Sequence, residues 1–254
     1  MSLIARITSA ICALTLGACP AWAAPSFLVV DVDTNQTVLE SGSEHPRSIA
    51  SITKLMTAVT VLESGDNLND EVLVTKQDYV SSTAIVAGRR YTRRELMLLA
   101  LVKSDNGAAH ALARSHNAGY ESFIVEMNHR ARYEIGMTHS SFVDSSGLHA
   151  ENKSTTHDLV KLLIYSQRYQ FIREASDQKT VSVGRRIYNS TNHMLRAGWD
   201  IVVAKTGFTN AAGQCFIAVW EERGHKFAMV ILGSNHRWVD SQQLKTKVLS
   251  IIGQ

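Results

Sequence analysis

Strand-like segments lie near both ends of this chain, and helical segments fill its middle. Residues 27–33 and 37–40 have the pattern of a β-hairpin, and residues 202–203, 215–220 and 227–232 that of a β-meander. Strands from both ends can share one sheet if the intervening helices pack on its faces. The order predicts an α+β fold: an antiparallel sheet flanked by helices, with an all-helical subregion.

Local signals place several helices in the middle of the chain. Residues 49–63 carry apolar side chains at helical spacing, and a further helix is predicted over about 120–132. Two Thr-x-x-acid patterns, at 92–95 and 155–158, are capping boxes, each of which predicts a helix start. The first of these helices runs toward Leu101.

The first 23 residues have the organisation of an export signal. Arg6 precedes a mainly apolar segment over residues 7–16, and residues 21–23 (Ala-Trp-Ala) present small side chains where a signal peptidase reads. We expect cleavage after residue 23 and a catalytic domain over residues 24–254, exported to the periplasm or cell envelope. The alternative is a lipoprotein, since Cys19 ends a segment similar to a lipobox.

Composition narrows the classes of partner. The net charge is +3 with both signs mixed along the chain, so nothing predicts a nucleic-acid partner. No apolar run reaches the roughly 18 residues of a transmembrane helix in the mature chain. Cys215 is the single cysteine after residue 23, and no Cys or His spacing indicates a metal site. We expect Cys215 to be a buried small hydrophobe, and we expect no metal or cofactor.

A Ser-x-x-Lys motif opens the first predicted helix. Ser51 and Lys54 are three residues apart, so the hydroxyl and the amine lie on one helix face. The helix N-terminus favours the negative charge of an oxyanion. A lysine in a partly desolvated site has a lowered pKa and can accept the serine proton.

Two further motifs follow in order. Residues 104–106 (Ser-Asp-Asn) provide a hydroxyl for proton relay and an amide for a substrate peptide group. Lys205 and Thr206, on a predicted strand, can hold a substrate carboxylate, and Gly207 lets the substrate backbone approach the strand.

Each short motif also occurs elsewhere. Ser176 and Lys179 repeat Ser-x-x-Lys in a polar stretch, and residues 115–117 and 190–192 repeat Ser-x-Asn. Lys-Thr-Gly occurs once, at 205–207. The signal is therefore the ordered set of three, each in its expected local context.

These residues carry a family resemblance. Residues 47–57 (Arg-Ser-Ile-Ala-Ser-Ile-Thr-Lys-Leu-Met-Thr) closely resemble the low-molecular-mass penicillin-binding proteins, a family of D-alanyl-D-alanine carboxypeptidases and endopeptidases. Residues 142–148, 205–213 and 231–234 are similar to the same family. The resemblance covers essentially the whole mature chain, and it implies a β-lactamase/transpeptidase-like fold.

The resemblance implies a role for each motif residue. Ser51 is the nucleophile that attacks the D-alanyl carbonyl, Lys54 is its base, and Ser104 relays protons. The backbone amides of Ser51 and Phe208 form an oxyanion hole. The residues implied to bind substrate are Asn106, Lys205, Thr206, Gly207 and Phe208. The implied partners are peptidoglycan stem peptides, with β-lactams as covalent inhibitors.

Other functions remain open at this point. A class A β-lactamase uses the same motifs with a deacylating glutamate in a Glu-x-x-x-Asn pattern, and no such pattern lies between Asn106 and Lys205; residues 63–67 match but precede Ser104. An esterase on this fold usually has Tyr-x-Asn as its second motif. A non-catalytic peptidoglycan-binding or β-lactam-sensing domain would need a degraded first motif or a signalling domain.

The C-terminal segment bears on the choice of substrate. Residues 239–252 predict a helix whose Leu244 and Val248 pack on the sheet, and no C-terminal β-domain is expected after it. The chain therefore resembles the short endopeptidase members more than the longer carboxypeptidases, with both activities still possible. Arg237 and Asp240 are expected to form a surface ion pair near this helix.

Overall fold

The computed structural model describes residues 24–253. The predicted signal peptide and the lipobox alternative at Cys19 lie outside these residues. Within them, no helix combines the length and apolarity that crossing a membrane requires.

A five-stranded antiparallel sheet forms the centre of the fold, as predicted. Its strand order is β2-β1-β11-β10-β9, so the N-terminal hairpin pairs with the C-terminal meander through β1 and β11. The five strands are β1 (Ser26–Asp31), β2 (Gln36–Ser41), β9 (Asp200–Thr209), β10 (Gly213–Glu222) and β11 (His225–Ser234).

Three two-stranded ribbons complete the strands, pairing β3 with β6, β4 with β5 and β7 with β8. They are β3 (Arg47–Ser48), β4 (Glu71–Leu73), β5 (Arg90–Thr92), β6 (Lys153–Ser154), β7 (Thr180–Val183) and β8 (Arg186–Asn189). The sequence predicted 179–189 only as extended chain; it forms the β7–β8 hairpin.

The α-helices lie between β3 and β7 and after β11. They are α1 (Thr53–Glu63), α2 (Arg93–Leu98), α3 (Asn106–Arg114), α4 (Gly119–His129), α5 (Thr156–Ser166), α6 (Gln170–Asp177) and α7 (Arg237–Ile252). Short 3-10 turns cover Ala50–Ile52, Lys76–Asp78 and His193–Leu195, and π-helical turns cover Leu99–Lys103 and Arg130–Ile135.

Both faces of the sheet are buried. Successive strand residues point to opposite faces, so neighbouring residues of one strand enter different cores. Val219 and Val230 belong to the large core that the sheet shares with α1 to α6. Trp220 on the other face packs in a second core with Leu244 and Val248 of α7. The predicted packing of the last helix on the sheet is confirmed.

The start of one helix and the cap of another differ from the predictions. The helix predicted from residue 49 begins at Thr53, and a 3-10 turn precedes it. The capping box at 92–95 is confirmed in both directions. At 155–158 only half of the predicted box forms: Thr155 accepts from the amide of Asp158, but the Asp158 carboxylate accepts from the amide of His139 instead of turning back.

Candidate active site

Ser51 lies in the 3-10 turn that leads into α1. Its neighbour Ala50 has a φ of +47°, a left-handed conformation that alanine rarely adopts. The Ala50 carbonyl accepts a 2.8 Å hydrogen bond from Thr53 Oγ1, which closes the turn. Gly147 and Gly207 pack against the same turn, where an added Cβ would lie 1.9 Å from the Ala50 carbonyl oxygen and 2.8 Å from that of Ile49 respectively.

The Lys54 side chain is completely buried, and it makes three hydrogen bonds, to the nucleophile, to the second motif and to a backbone carbonyl. Its Nζ donates to Ser51 Oγ at 2.7 Å, to Asn106 Oδ1 at 2.6 Å and to the carbonyl of Ser146 at 2.6 Å. Burial lowers the pKa of Lys54 to about 7, although the negative charges of Asp144 and Asp105 oppose that shift. A substantial fraction of Lys54 is therefore neutral near pH 7.

The second motif joins the π-helical turn to α3. Ser104 has a φ of +62°. Asp105 caps α3 by accepting from the amide of Ala108 at 2.8 Å, and it also accepts from Thr83 Oγ1 at 2.6 Å. Asn106 is held from both ends, since its Oδ1 accepts from Lys54 and its Nδ2 donates to Ser81 Oγ at 2.8 Å.

The third motif runs along β9 beside the second. Lys205 is buried, and its Nζ donates to Ser104 Oγ at 2.9 Å and to the carbonyl of Thr206 at 2.9 Å. Burial, with the positive charges of Lys54 and Arg237, lowers the pKa of Lys205 well below its ordinary value. The three motifs are thus joined by direct hydrogen bonds between their side chains.

These motifs face an open cleft of about 250 Å³. Phe208 lies at its edge, with 58% of its surface exposed. The cleft is lined by Ser51, Ser104, Asn106, Thr191, Thr206, Gly207, Phe208 and Arg237.

A loop that is ordered by hydrogen bonds to the Asp144 carboxylate provides the backbone carbonyl that Lys54 contacts. The Asp144 carboxylate accepts from the amides of Ser146 at 2.6 Å, Gly147 at 2.5 Å and His149 at 2.8 Å, and from Asn152 Nδ2 at 3.0 Å. Burial alone would raise the pKa of Asp144, but the amide hydrogen bonds outweigh it and hold the pKa below its usual range. Asp144 therefore fixes the carbonyl that Lys54 contacts.

Two cleft residues were missed by the sequence reasoning. Thr191 Oγ1 lies 2.6 Å from Thr206 Oγ1, although its segment was dismissed as a chance Ser-x-Asn match. The surface pair predicted for Arg237 and Asp240 is wrong: Arg237 Nη1 donates to the Gly207 carbonyl at 2.6 Å, and Asp240 accepts from Ser234 Oγ at 2.5 Å. No local pattern marks either residue, because tertiary contacts of the segment after β8 and of the start of α7 with β9 bring them to the cleft.

Other sequence interpretations have different outcomes. Gly207 is required where β9 meets the nucleophile turn, which is a second reason for the glycine; its predicted role in substrate approach stays a prediction. Glu63, in the stray Glu-x-x-x-Asn pattern, is held by Arg130 and Tyr165. Cys215 is fully buried, as predicted, and burial raises the pKa of its thiol to about 11.

Comparisons with known proteins agree with this geometry. The family model of D-alanyl-D-alanine carboxypeptidases matches residues 15–236. The chain is 35% identical to a D-alanyl-D-alanine endopeptidase of Escherichia coli, over 92% of this chain and 80% of that protein. It is 37% identical to one of Pseudomonas aeruginosa, over 77% and 66%. It is also similar to the crystal structure of penicillin-binding protein D2 from Listeria monocytogenes in an ampicillin-bound form: 30% identity, a TM-score of 0.79, and coverage of 88% and 96%.

Proposed function

The chain belongs to the D-alanyl-D-alanine carboxypeptidase family of serine hydrolases, and we propose that it cleaves D-alanyl bonds of peptidoglycan stem peptides through an acyl-enzyme on Ser51. One observation carries the proposal: a fully buried lysine, Lys54, lies 2.7 Å from the Ser51 hydroxyl with its pKa lowered to about 7. That arrangement supplies a base beside a nucleophile without a histidine.

Acylation follows from these positions. Neutral Lys54 takes the Ser51 proton while Oγ attacks the D-alanyl carbonyl carbon. The backbone amides of Ser51 and Phe208 stabilise the oxyanion, and Gly207 brings that part of β9 against the turn of Ser51. The C–N bond then breaks, and the leaving amine receives the proton through Ser104. Water hydrolyses the resulting ester and regenerates Ser51.

Substrate binding involves the opposite wall of the cleft. We assign the substrate carboxylate to Thr206 and Arg237, with the buried Lys205 amine behind them. Arg237 lines the cleft, and its positive charge is not balanced by an ion pair among residues 24–253. Asn106, fixed between Lys54 and Ser81, positions the peptide group of the acyl side.

The bond that we propose is the D-alanyl–diaminopimelate cross-link, which makes the enzyme a D,D-endopeptidase. The two relatives at 35% and 37% identity are D-alanyl-D-alanine endopeptidases, which supports this choice. Digestion of purified peptidoglycan, with product identification, tests it. Loss of cross-linked dimers is expected, and release of free D-alanine from pentapeptides without dimer cleavage would make the enzyme a carboxypeptidase. The Ser51→Ala variant is the control.

We also propose that the enzyme acts in the cell envelope after export. The N-terminal charge, apolar segment and Ala-Trp-Ala site support this location. The mass of the mature protein tests it: an N-terminus at Ala24 is expected, whereas a lipidated Cys19 would show the lipoprotein route instead.

A further inference from the structure

A cavity of about 350 Å³, separate from the catalytic cleft, lies between the segment 84–91 and the β7–β8 hairpin. Three arginines line it, Arg89, Arg185 and Arg186, together with Tyr91 and Tyr188. The other lining residues are Ala84, Val86, Val183 and Gly184, so no acidic side chain contributes to its wall. The cavity is larger than the catalytic cleft and more strongly charged.

Both walls of the cavity are built on tight turns. The amide of Arg89 donates to the Val86 carbonyl at 3.1 Å, and the Arg89 carbonyl accepts from the amide of Val74 at 2.9 Å. On the other side, Val183 pairs with Arg186 across a two-residue turn in which Gly184 has a φ of +56°. These turns fix the backbone positions from which the three exposed arginine side chains extend.

The three guanidinium groups have no counter-charge. Among residues 24–253 none of them forms an ion pair or a hydrogen bond. Two half-buried arginines elsewhere in the fold are paired with carboxylates, Arg114 with Asp78 at 2.8 Å and Arg130 with Glu63 at 2.7 Å. Three unpaired cations around one cavity repel each other, so an anionic occupant is favoured.

The cavity shares no lining residue with the catalytic cleft, but both of its walls continue into segments that form the cleft. Ala84 lines the cavity, and its amide donates to Asp105 of the second motif at 2.6 Å. Tyr188 lies three residues before Thr191, which lines the cleft beside Thr206. Three extended residues span about 10 Å. Tyr188 in the cavity wall and Thr191 in the cleft wall are therefore close neighbours.

We propose that this arginine cavity binds free carboxylates of a peptidoglycan stem peptide, at a point of the substrate remote from the scissile bond. The inference rests on the proposed function and adds a specificity site to it. Guanidinium groups bind carboxylates in a bidentate, planar manner, and the two tyrosines supply contacts for the aliphatic parts of the peptide. A peptide is favoured over an anionic polymer because both walls of the cavity continue into the cleft, through the hydrogen bond of Ala84 to Asp105 and through the short segment from Tyr188 to Thr191.

Binding in the Ser51→Ala background tests the cavity without turnover. The probes are a cross-linked stem-peptide dimer and the same dimer amidated only at its carboxylates remote from the scissile bond, titrated by calorimetry. Amidation, or the combined substitutions Arg89→Ala, Arg185→Ala and Arg186→Ala, should each raise the Kd for the dimer about tenfold or more. The triple substitution should leave binding of the amidated dimer unchanged.

Arg90→Ala is the matched control, since Arg90 is exposed, neighbours Arg89 and does not line the cavity. It should leave the Kd unchanged. An equal effect of Arg90→Ala, or no effect of amidation, would overturn the proposal in favour of general charge attraction. Loss of binding to phosphatidylglycerol vesicles in the triple variant, with dimer binding intact, would overturn it in favour of an anionic surface.

A kinetic arm separates this proposal from the proposed function. In the active enzyme, the triple arginine variant should keep its rate of acylation by penicillin, because a β-lactam does not reach the cavity. A proportional fall in that rate would indicate a structural defect and overturn the proposal. If the unsubstituted enzyme neither acylates nor hydrolyses, the proposed function fails, while the calorimetry still decides whether the cavity binds carboxylates.

Discussion

Lys54 Nζ lies 2.7 Å from Ser51 Oγ, and the amine that holds the serine hydroxyl has no contact with solvent. Its hydrogen bonds to Asn106 and Ser146 keep the side chain in place whichever protonation state it has. Burial is the main cause of its lowered pKa, so the fold itself converts an ordinary lysine into a base.

The rate of acylation should follow the ionisation of Lys54. Because only the neutral amine accepts a proton, the second-order rate constant for penicillin should rise as the pH rises through about 7 and fall below it. Stopped-flow acylation between pH 5 and 9 measures this profile. A flat profile across that range would contradict the assignment of Lys54 as the base.

Lys54→Arg should lower acylation by about a thousandfold, because a guanidinium stays charged at every pH of the assay. Lys161→Arg, at a half-exposed ion pair with Asp158, should have no effect. Comparable rates for the two variants would show that the charge state of residue 54 is irrelevant.

Asp144 should tune the same profile. Its negative charge raises the pKa of Lys54, so Asp144→Asn should move the acid limb of the acylation profile to lower pH. If Asp144→Asn lowered the acylation rate and left the acid limb at the same pH, the substitution would only have loosened the loop, and the predicted effect on Lys54 would be contradicted. Asp177→Asn, at the exposed end of α6, should leave the profile in place.

Much of this site was predictable because its residues belong to short motifs. The contact of Lys54 with Ser51 follows from local geometry, since the two residues are one turn apart, whereas the contact of Lys54 with Asn106 followed from the family resemblance of the ordered motifs. Thr191 and Arg237 were not predictable: their positions depend on how the chain after β8 and the start of α7 meet β9. Tertiary contacts of this kind leave no periodic signal in the sequence.

In the fold, too, the features set by local sequence were predictable and those set by tertiary contacts were not. Alternating and apolar strand patterns predicted the five-stranded sheet, and a capping box predicted the start of α2. The start of α1 was placed too early. The turn before Thr53 is set by Gly147 and Gly207 packing on its backbone, far away in the chain.

Gly147→Ala should disrupt the nucleophile turn. Gly147 has a φ of +82°, and a Cβ there would lie 1.9 Å from the carbonyl oxygen of Ala50. We expect a loss of about 4 kcal/mol or more in the free energy of unfolding, with acylation abolished. Gly136→Ala is the control for backbone strain alone, because Gly136 has a φ of +79° and nothing lies within 4 Å of the added Cβ. It should lower the free energy of unfolding by about 1 kcal/mol. Equal losses in thermal unfolding would contradict the contact.

Thr191→Val should weaken substrate binding without unfolding the protein. It removes the hydroxyl that lies 2.6 Å from Thr206 Oγ1 and keeps the shape of the side chain. We expect KM for a D-alanyl peptide to rise severalfold, about 1 kcal/mol, with a smaller change in kcat. Thr246→Val, on the exposed side of α7, is the control. An unchanged KM would remove Thr191 from the substrate wall.

The most direct test of the account is the mass of the intact protein after incubation with excess penicillin. A single covalent adduct is expected, with peptide mapping placing it on Ser51, and Ser51→Ala should abolish it. Ser176→Ala, at the second Ser-x-x-Lys sequence, should retain the full adduct. An adduct that persists in Ser51→Ala, or that maps to another residue, would contradict the assignment of Ser51 as the nucleophile.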